Sequence, residues 1–433
     1  MRLKISNLAK IQKAEIDIDG ITVIAGSNNT GKSTVGKSIF SLFNSLNNIE
    51  NKILLQKTTS IRLLCHRCIR NLLAHRAAIE EGARPTNPLS YSLARVIAAQ
   101  IMEEYQKWEH IPFDTVDGIV RDALVKRKVS LDVDEIDELI NAIYSDMCEI
   151  LELSEVTISQ ALVTQHFERV FNYQINTLQK SEKAVVALEL KKRNIFVEFL
   201  SHKCVSLNSE IAILHKAVYI DNPFVLDLLD ENDSFDGTEK PLVRQLISRH
   251  ERDDDQVIES VLAEEKMNAI FSKLSSVVRG RIIIQDGNYY LEDEDINQLI
   301  SVKNLSSGLK SFVLLKMLVE DGVICDNDVL ILDEPEIHLH PEWQIVYAEL
   351  IVLLQKQMNL SVIVTTHSPY FLDAIDLFSK KHRISDRTNY YLSKVVDSQV
   401  EFQKVSRDLE AIYKEMASPI SVLETLRYEL TEE

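Results

Sequence analysis

The octapeptide Gly26-Ser-Asn-Asn-Thr-Gly-Lys-Ser33 lies between the apolar run Ile21–Ala25 and a stretch in which Val35, Ile39, Leu42 and Phe43 recur at helical spacing. That is the pattern G-x-x-x-x-G-K-[ST] in the strand–loop–helix setting its chemistry requires. Its glycines let the backbone curl, so that successive N–H groups and the positive end of the next helix face a phosphate. Gly26, Ser27, Asn28, Asn29, Thr30, Gly31, Lys32 and Ser33, with Thr34 opening the helix, are the expected phosphate ligands. Lys32 would reach the β- and γ-phosphates of a nucleoside triphosphate, and the Ser33 hydroxyl would ligate Mg²⁺. A chance match in a Gly/Ser turn is the competing reading, and the flanking strand and helix weigh against it.

A second apolar run, Val329-Leu-Ile-Leu-Asp333-Glu334, ends in two carboxylates. At the C-terminal edge of a buried sheet, where open α/β folds bind ligands, Asp333 would hold Mg²⁺ directly or through water. Glu334 would be the general base that polarises the attacking water. Read alone, such a pair is more often a helix N-cap; the phosphate loop reverses that preference. A third run, Ser361-Val-Ile-Val-Thr365, leads into Thr366-His367-Ser368-Pro369 and puts one imidazole on the same edge. His367 can contact a γ-phosphate there, beside Lys32 and Glu334, while a capping or core histidine is the plainer alternative.

The rest of the chain is organised around these motifs. Arg2–Leu8, Ala14–Asp19 and Ile21–Ala25 read as strands, the last buried on both faces. From about Ser33 to Gln179 the pattern is helical, with breaks at Gly82–Pro88, Ile111-Pro112 and Ser130–Asp134, whose aspartates offer N-caps; four or five helices follow. Ala184–Lys191 with Asn194–Leu200, and Arg281–Ile284 with Tyr289–Leu291, read as hairpins. From Leu305 the order is helix, strand (Asp328–Leu332), helix, strand (Ser361–Thr365), helix, the alternation of a parallel sheet. The expected division is an N-terminal lobe with the phosphate loop (1–45), a helical insertion (46–182), hairpins with connecting helices (183–300), and a C-terminal lobe (301–433). Asp227–Asp236 with the charge run Arg249–Asp255 reads as a mobile loop or a solvated helix face.

Leu305-Ser306-Ser307-Gly308-Leu309-Lys310, opening an apolar helix ahead of Asp333, resembles the signature motif of the ABC-type ATPases. Asp333-Glu-Pro-Glu-Ile-His-Leu-His-Pro341 and Thr366-His-Ser-Pro-Tyr-Phe371 are similar to strings of the RecF, SMC and OLD branch of that class. Within it the chain most resembles the stand-alone ATPases of bacterial anti-phage systems of the Septu type, some of which accompany retrons. The likeness covers roughly residues 1–45 and 280–385. It implies an α/β fold: an ABC-type P-loop ATPase head, a mixed sheet with an antiparallel β subdomain, carrying an inserted helical domain. It also implies ATP and Mg²⁺, a homodimer of heads or a higher oligomer, and a separate effector subunit, an HNH-type nuclease. In such a dimer Ser306, Ser307 and Gly308 of one chain complete the site of Lys32 and Glu334 in the other. Ser307 and Leu309 depart from the Leu-Ser-Gly-Gly-Gln pattern, and His340 stands where many relatives carry an aspartate. The rival readings are a RecF/SMC-like DNA-binding ATPase of repair or recombination, and a head that holds ATP structurally and barely turns over.

Composition bounds these readings. A chain of 433 residues with 45% apolar content can build one large or two to three ordinary cores. A formal charge of −18 repels polyanions unless a local patch overrides it. The exception is Asn51–Arg84, where Lys52, Lys57, Arg62, Arg67, Arg70, Arg76 and Arg84 face only Glu80 and Glu81. Arg62, His66 and Arg70 share a helical face that could meet nucleic-acid phosphates or an acidic partner, or simply be solvated. No aromatic residue interleaves them, so base stacking is not expected. Five cysteines at irregular spacing, no leader pattern and no long apolar run point to a cytoplasmic protein without a membrane span. Cys65-His-Arg-Cys68 has zinc-like spacing but no second pair, and His338 and His340 read as packing and capping groups. The stretch after Ser385 is too short for the domain of about 100 residues that a Toprim nuclease needs, so nuclease chemistry is expected on another chain.

Overall fold

Ile21, Val23, Ile24 and Ala25 are apolar, and Thr22 turns its hydroxyl onto the carbonyl of Asp17 (3.2 Å), so strand β3 (Ile21–Gly26) is buried along its whole length. The computed structural model describes residues 1–79, 87–108, 110–129, 131–177, 182–191, 193–229, 242–244, 246–247, 267–293, 298–396, 399–406 and 408–432. It places β3 inside a six-stranded sheet that runs β14 (Gln399–Lys404), β13 (Thr388–Val396), β3, β12 (Ser361–Thr366), β11 (Val329–Asp333), β7 (Ala217–Ile220). All neighbours are parallel except β14, which returns antiparallel along β13. An antiparallel sheet runs β2 (Ile11–Asp17), β1 (Arg2–Leu8), β4 (Ala184–Leu190), β5 (Arg193–Leu200), β6 (Lys203–Ser209). A three-stranded antiparallel sheet holds β10 (Gln298–Ser301), β9 (Asn288–Asp293) and β8 (Arg281–Gln285). The class is α/β, with mixed and antiparallel sheets.

The chain divides into two compact units, Met1–Asn47 with Gln160–Glu433, and Asn48–Ser159. In the first, helix α1 (Lys32–Leu46) lies close on the parallel sheet, because a Cβ on Gly36 would sit 2.8 Å from Ile331 Cγ2. Helices α7 (Ser307–Glu320), α8 (Pro341–Met358), α9 (Pro369–Lys381) and α10 (Glu410–Glu432) follow later in the chain. Phe312, Leu315, Leu350, Leu354 and Phe371 from three of these helices join Val23, Leu330 and Val364 in one core.

The second unit is helical: α2 (Ile49–Ile79), α3 (Asn87–Trp108), α4 (Phe113–Lys126), α5 (Val133–Glu152) and the start of α6 (Glu155–Val170). Pro112 precedes α4, where its missing N–H costs nothing, and Glu135 accepts the backbone N–H of Asp132 (2.9 Å) in the capping box of α5. Ile61, Ile97, Ile101, Val116, Val120 and Ile143 make its own core.

Two expectations change. The insertion ends at Ser159, not 182, because the second half of α6 sends Val163 and Phe167 into the first unit's core, with the Phe167 ring 4.6 Å from Phe199 of β5. Strand β2 spans Ile11–Asp17, not Ala14–Asp19, because its buried Ile11 pairs with Leu8 across the turn. The acidic and mixed-charge stretches Asp227–Asp236 and Arg249–Asp255 lie outside the described residues beyond 229. Among the described residues no helix is long and apolar enough to cross a membrane.

Truncating Phe167 to Ala should lower stability by about 3–5 kcal/mol, whereas Val125→Ser, on a side chain 73% exposed, should change it by less than about 0.5 kcal/mol. Denaturant midpoints of the two variants check this. Gly26 sits at φ 148°, and a Cβ there would meet the Ser393 carbonyl oxygen at 2.3 Å. Gly26→Ala should therefore cost of order 1–3 kcal/mol from backbone strain before the clash is counted, read from the same midpoints.

Candidate nucleotide site

The loop after β3 holds Asn29 (φ 67°) and Gly31 (φ 75°) in the left-handed region. Gly31 is the N-cap of α1, and neither a side-chain cap nor an acidic first-turn residue closes that helix end. Its positive pole is left toward the loop. Lys32 is buried; its Nζ donates to the carbonyls of Gly26 (3.0 Å) and Ser27 (2.8 Å), and lies 3.7 Å from Glu334 Oε1. Burial pushes its pKa down, while the Glu334 and Asp333 carboxylates work in the opposite direction. Thr30 ties the loop to β13 through Ser393 Oγ (2.6 Å), and Ser27 Oγ donates to Glu415 of α10 (3.0 Å).

Asn29, Thr30, Gly31, Lys32, Ser33, Thr34 and Glu334 form one side of a cavity of about 740 Å³. Its other side is residues that no motif announced: Lys10 at the β1–β2 turn, Gln12 of β2, Gln174, Asn176 and Thr177, and Val395 and Val400 of β13 and β14. Lys10 reaches across to the side-chain oxygen of Asn29. Asn176 fixes its segment by donating to the carbonyls of Glu182 (3.1 Å) and Phe199 (3.0 Å) and accepting from His202 N (2.9 Å).

Opposite Ser33, β11 delivers Asp333. Its Oδ1 accepts hydroxyls from Ser33 (3.1 Å) and Thr365 (2.5 Å), and its Oδ2 accepts the Tyr219 hydroxyl (2.6 Å). Burial and the adjoining carboxylate push the Tyr219 phenol well above its usual range, so it stays a donor. A serine hydroxyl beside a carboxylate is a hard oxygen pair of the kind Mg²⁺ takes when phosphates complete its shell, and Ser33 and Asp333 fit that ion. Among the described residues no group of three His, Cys, Asp or Glu is placed to hold a metal unaided.

Glu334 occupies φ 52°, an uncommon position for its residue type, and is held there by its N–H donating to Thr365 Oγ1 (3.0 Å) and O (3.2 Å). From it, Oε1 lies 3.3 Å from His367 Nδ1, at the end of β12. The turn after Glu334 adds a carboxylate that the motifs passed over: Glu336, buried, whose Oε1 accepts Thr366 Oγ1 (2.6 Å) and His367 N (3.0 Å).

Ser306 caps α7, accepting Leu309 N (3.4 Å). Ser306, Ser307 and Gly308 are not among the residues of the cavity wall in their own chain. Gly308 owes its lack of a side chain to packing, since a Cβ would sit 3.0 Å from both the His338 carbonyl oxygen and the Trp343 ring. His338 stands edge-on to Phe224, and His340 precedes α8 without a side-chain cap bond. On α2, Lys57 is buried and donates to Tyr105 (3.2 Å) and the Leu151 carbonyl (2.9 Å), Arg62 lies over the Tyr91 ring, and Arg67 pairs with Asp146 (2.9 Å). Cys65 is buried among apolar residues, which pushes its thiol up to about 12.

Residues 175–373 match the protein-family model described as "AAA domain, putative AbiEii toxin, Type IV TA system". The "Retron Ec83 probable ATPase" of Escherichia coli is 29% identical over 195 residues, 40% of this chain and 33% of that protein. The "Retron Vc95 probable ATPase" of Vibrio cholerae serotype O1 biovar El Tor is 26% identical over 132 residues, 28% of this chain and 25% of that protein. The alignments thus span a third or less of these relatives' length. Among solved structures, an SmcHead bound to the C-winged helix domain of ScpA aligns with a TM-score of 0.46 at 11% identity, covering 94% of this chain and 98% of that one. The SMC head domain from Thermotoga maritima aligns with a TM-score of 0.37 at 11% identity, covering 93% and 98%. Residues 175–373, which carry Asp333, Glu334 and His367, are similar to the AAA domain family, and the chain is similar over part of its length to the two retron ATPases.

Proposed function

We propose that the chain is an ABC-type ATPase whose heads close in pairs around ATP and regulate a separate effector, an HNH-type nuclease, in bacterial anti-phage defence. One arrangement carries the ATPase reading: a single oxygen of Glu334 lies 3.7 Å from Lys32 Nζ and 3.3 Å from His367 Nδ1, on the edge where Ser33 meets Asp333. ATP is the substrate. The loop N–H groups and Lys32 bind its β- and γ-phosphates, and Lys32 exchanges loop carbonyls for phosphate oxygens. Ser33 and Asp333 would hold Mg²⁺, which would supply charge neutralisation on those oxygens. Glu334 takes a proton from water as the water oxygen bonds to the γ-phosphorus and the bond to the ADP oxygen breaks. His367 orients Glu334 and contacts the γ-phosphate.

The defence role is supported by similarity to the retron ATPases and remains tied to that analogy. Pairing of heads is supported by Ser306, Ser307 and Gly308 standing outside their own chain's cavity wall at an N-terminus that a second chain's γ-phosphate would suit. The DNA-binding alternative has fewer cations to draw on, with Lys57 buried and Arg67 paired. Salt-dependent duplex binding by the isolated protein would favour it.

Lys32→Ala should abolish ATP binding in calorimetry, since its ammonium has no substitute within the phosphate loop; undiminished affinity would overturn the site. Glu334→Gln should bind ATP normally and hydrolyse it more slowly by a factor on the order of 10²–10⁴. Mixing Lys32→Ala with Ser306→Arg chains should restore about one working composite site per heterodimer, detected as ATPase activity absent from either parent. Silent mixtures, despite dimers in light scattering, would withdraw the paired-head cycle.

A further inference from the structure

The carboxylate of Glu336 has no part in the cycle just described, yet it is 3% exposed and faces the loop that carries His367. Its two oxygens are treated unequally. Oε1 collects two donors, Thr366 Oγ1 at 2.6 Å and His367 N at 3.0 Å, whereas Oε2 is buried without a partner. Burial also raises its pKa, as expected for an acid that pays for desolvation with half its acceptors idle. A carboxylate so placed is a poor device for stability, since an apolar residue of similar volume would pack there at lower cost.

The bonds around it form a closed circuit. Thr366 Oγ1 accepts Ser368 N (3.1 Å), and Ser368 Oγ donates to Gln344 Oε1 (2.7 Å). Gln344 Nε2 donates in turn to the carbonyls of Leu339 (3.1 Å) and Glu336 (3.4 Å). The circuit joins the loop of His367 to the turn that begins at Glu334, and Glu336 is its one member that holds His367 through the backbone. We infer that Glu336 is a positioning residue: its Oε1, by gripping the Thr366 hydroxyl and the His367 amide, sets the imidazole against Glu334. The inference rests on the ATPase reading only for its kinetic consequence; the placement of the ring is a property of the protein alone.

The oxygen, not the charge, is the working part, so an amide should replace it. Glu336→Gln keeps an acceptor at Oε1 and should retain kcat within about threefold, whereas Glu336→Ala frees the loop, and misplacing a reacting group by about 1 Å costs on the order of 100-fold. In Glu336→Ala kcat should fall by about that factor with ATP affinity changed less than about threefold, and no further loss should follow when His367→Ala is added, because both changes remove one function. Equal loss in Gln and Ala variants, or losses that multiply in the double variant, would overturn the assignment. A second measurement needs no turnover: in protein with labelled histidines, the His367 imidazole signals, assigned through His367→Gln, should coincide between wild type and Glu336→Gln and shift in Glu336→Ala and Thr366→Val. Unmoved signals in Glu336→Ala would sink the inference even with an active enzyme. Signals that move in Glu336→Ala, in a protein whose wild type hydrolyses no ATP, would sustain it while refuting the ATPase reading.

Discussion

One carboxylate organises the sheet edge. Asp333 receives hydroxyls from Ser33 on α1, Thr365 on β12 and Tyr219 on β7, so three elements from distant parts of the chain converge on a group with few remaining lone pairs. Hydrogen bonds to an ionised acceptor in a partly buried setting are the stronger kind, and each donor here is held by a strand or helix of the parallel sheet. Remove that acceptor and the phosphate loop loses its register with β11, while Tyr219 is left with a buried hydroxyl unpaired. The geometry that lets Glu334 meet both Lys32 and His367 depends on this anchoring, since Glu334 hangs from the same Thr365 hydroxyl.

The sheet edge was largely readable before any coordinates. Buried parallel strands read as near-continuous apolar runs, and Ile21–Ala25 (interrupted only by Thr22), Val329–Leu332 and Val362–Val364 show them, each leading into residues that line the edge. β7 was not readable, because four residues, Ala217–Ile220, make too short a signal, and its Tyr219 looks like a core aromatic until its partner is known. β13 hid for a related reason: Tyr390 and Tyr391 are adjacent, both buried, with hydroxyls bonded to Asp376 and the Asp17 amide, a pattern that matches no simple alternation. The far wall of the cavity, from Lys10 to Val400, is assembled from turns and hairpin edges, and only strand pairing brings such residues together.

Charge was the least legible property. Counting Lys and Arg along Asn51–Arg84 treats every cation as available, but a helix has an inside. Lys57 falls on the face with Ile53, Ile61 and Leu64 and spends its ammonium on Tyr105 and the Leu151 carbonyl. Glu336 shows the same blind spot from the other sign: the string Asp-Glu-Pro-Glu draws the eye to its first two acids, while burial of the third is set by residues of another strand.

The discontinuity of the first unit has a consequence for how the protein is made. β3 must be flanked by β12 and β13, yet those strands lie far downstream, at Ser361–Thr366 and Thr388–Val396, and leave the ribosome on the order of tens of seconds later. Meanwhile Asn48–Ser159 holds a core of its own drawn from sequence-local helices and can collapse early. A strand that is buried along its whole length in the native sheet therefore waits, unpaired on its edges, upstream of an already folded helical unit. Nascent chains of this protein should be engaged by chaperones chiefly through their first strands, and a stall in translation before residue 361 is the moment of greatest aggregation risk.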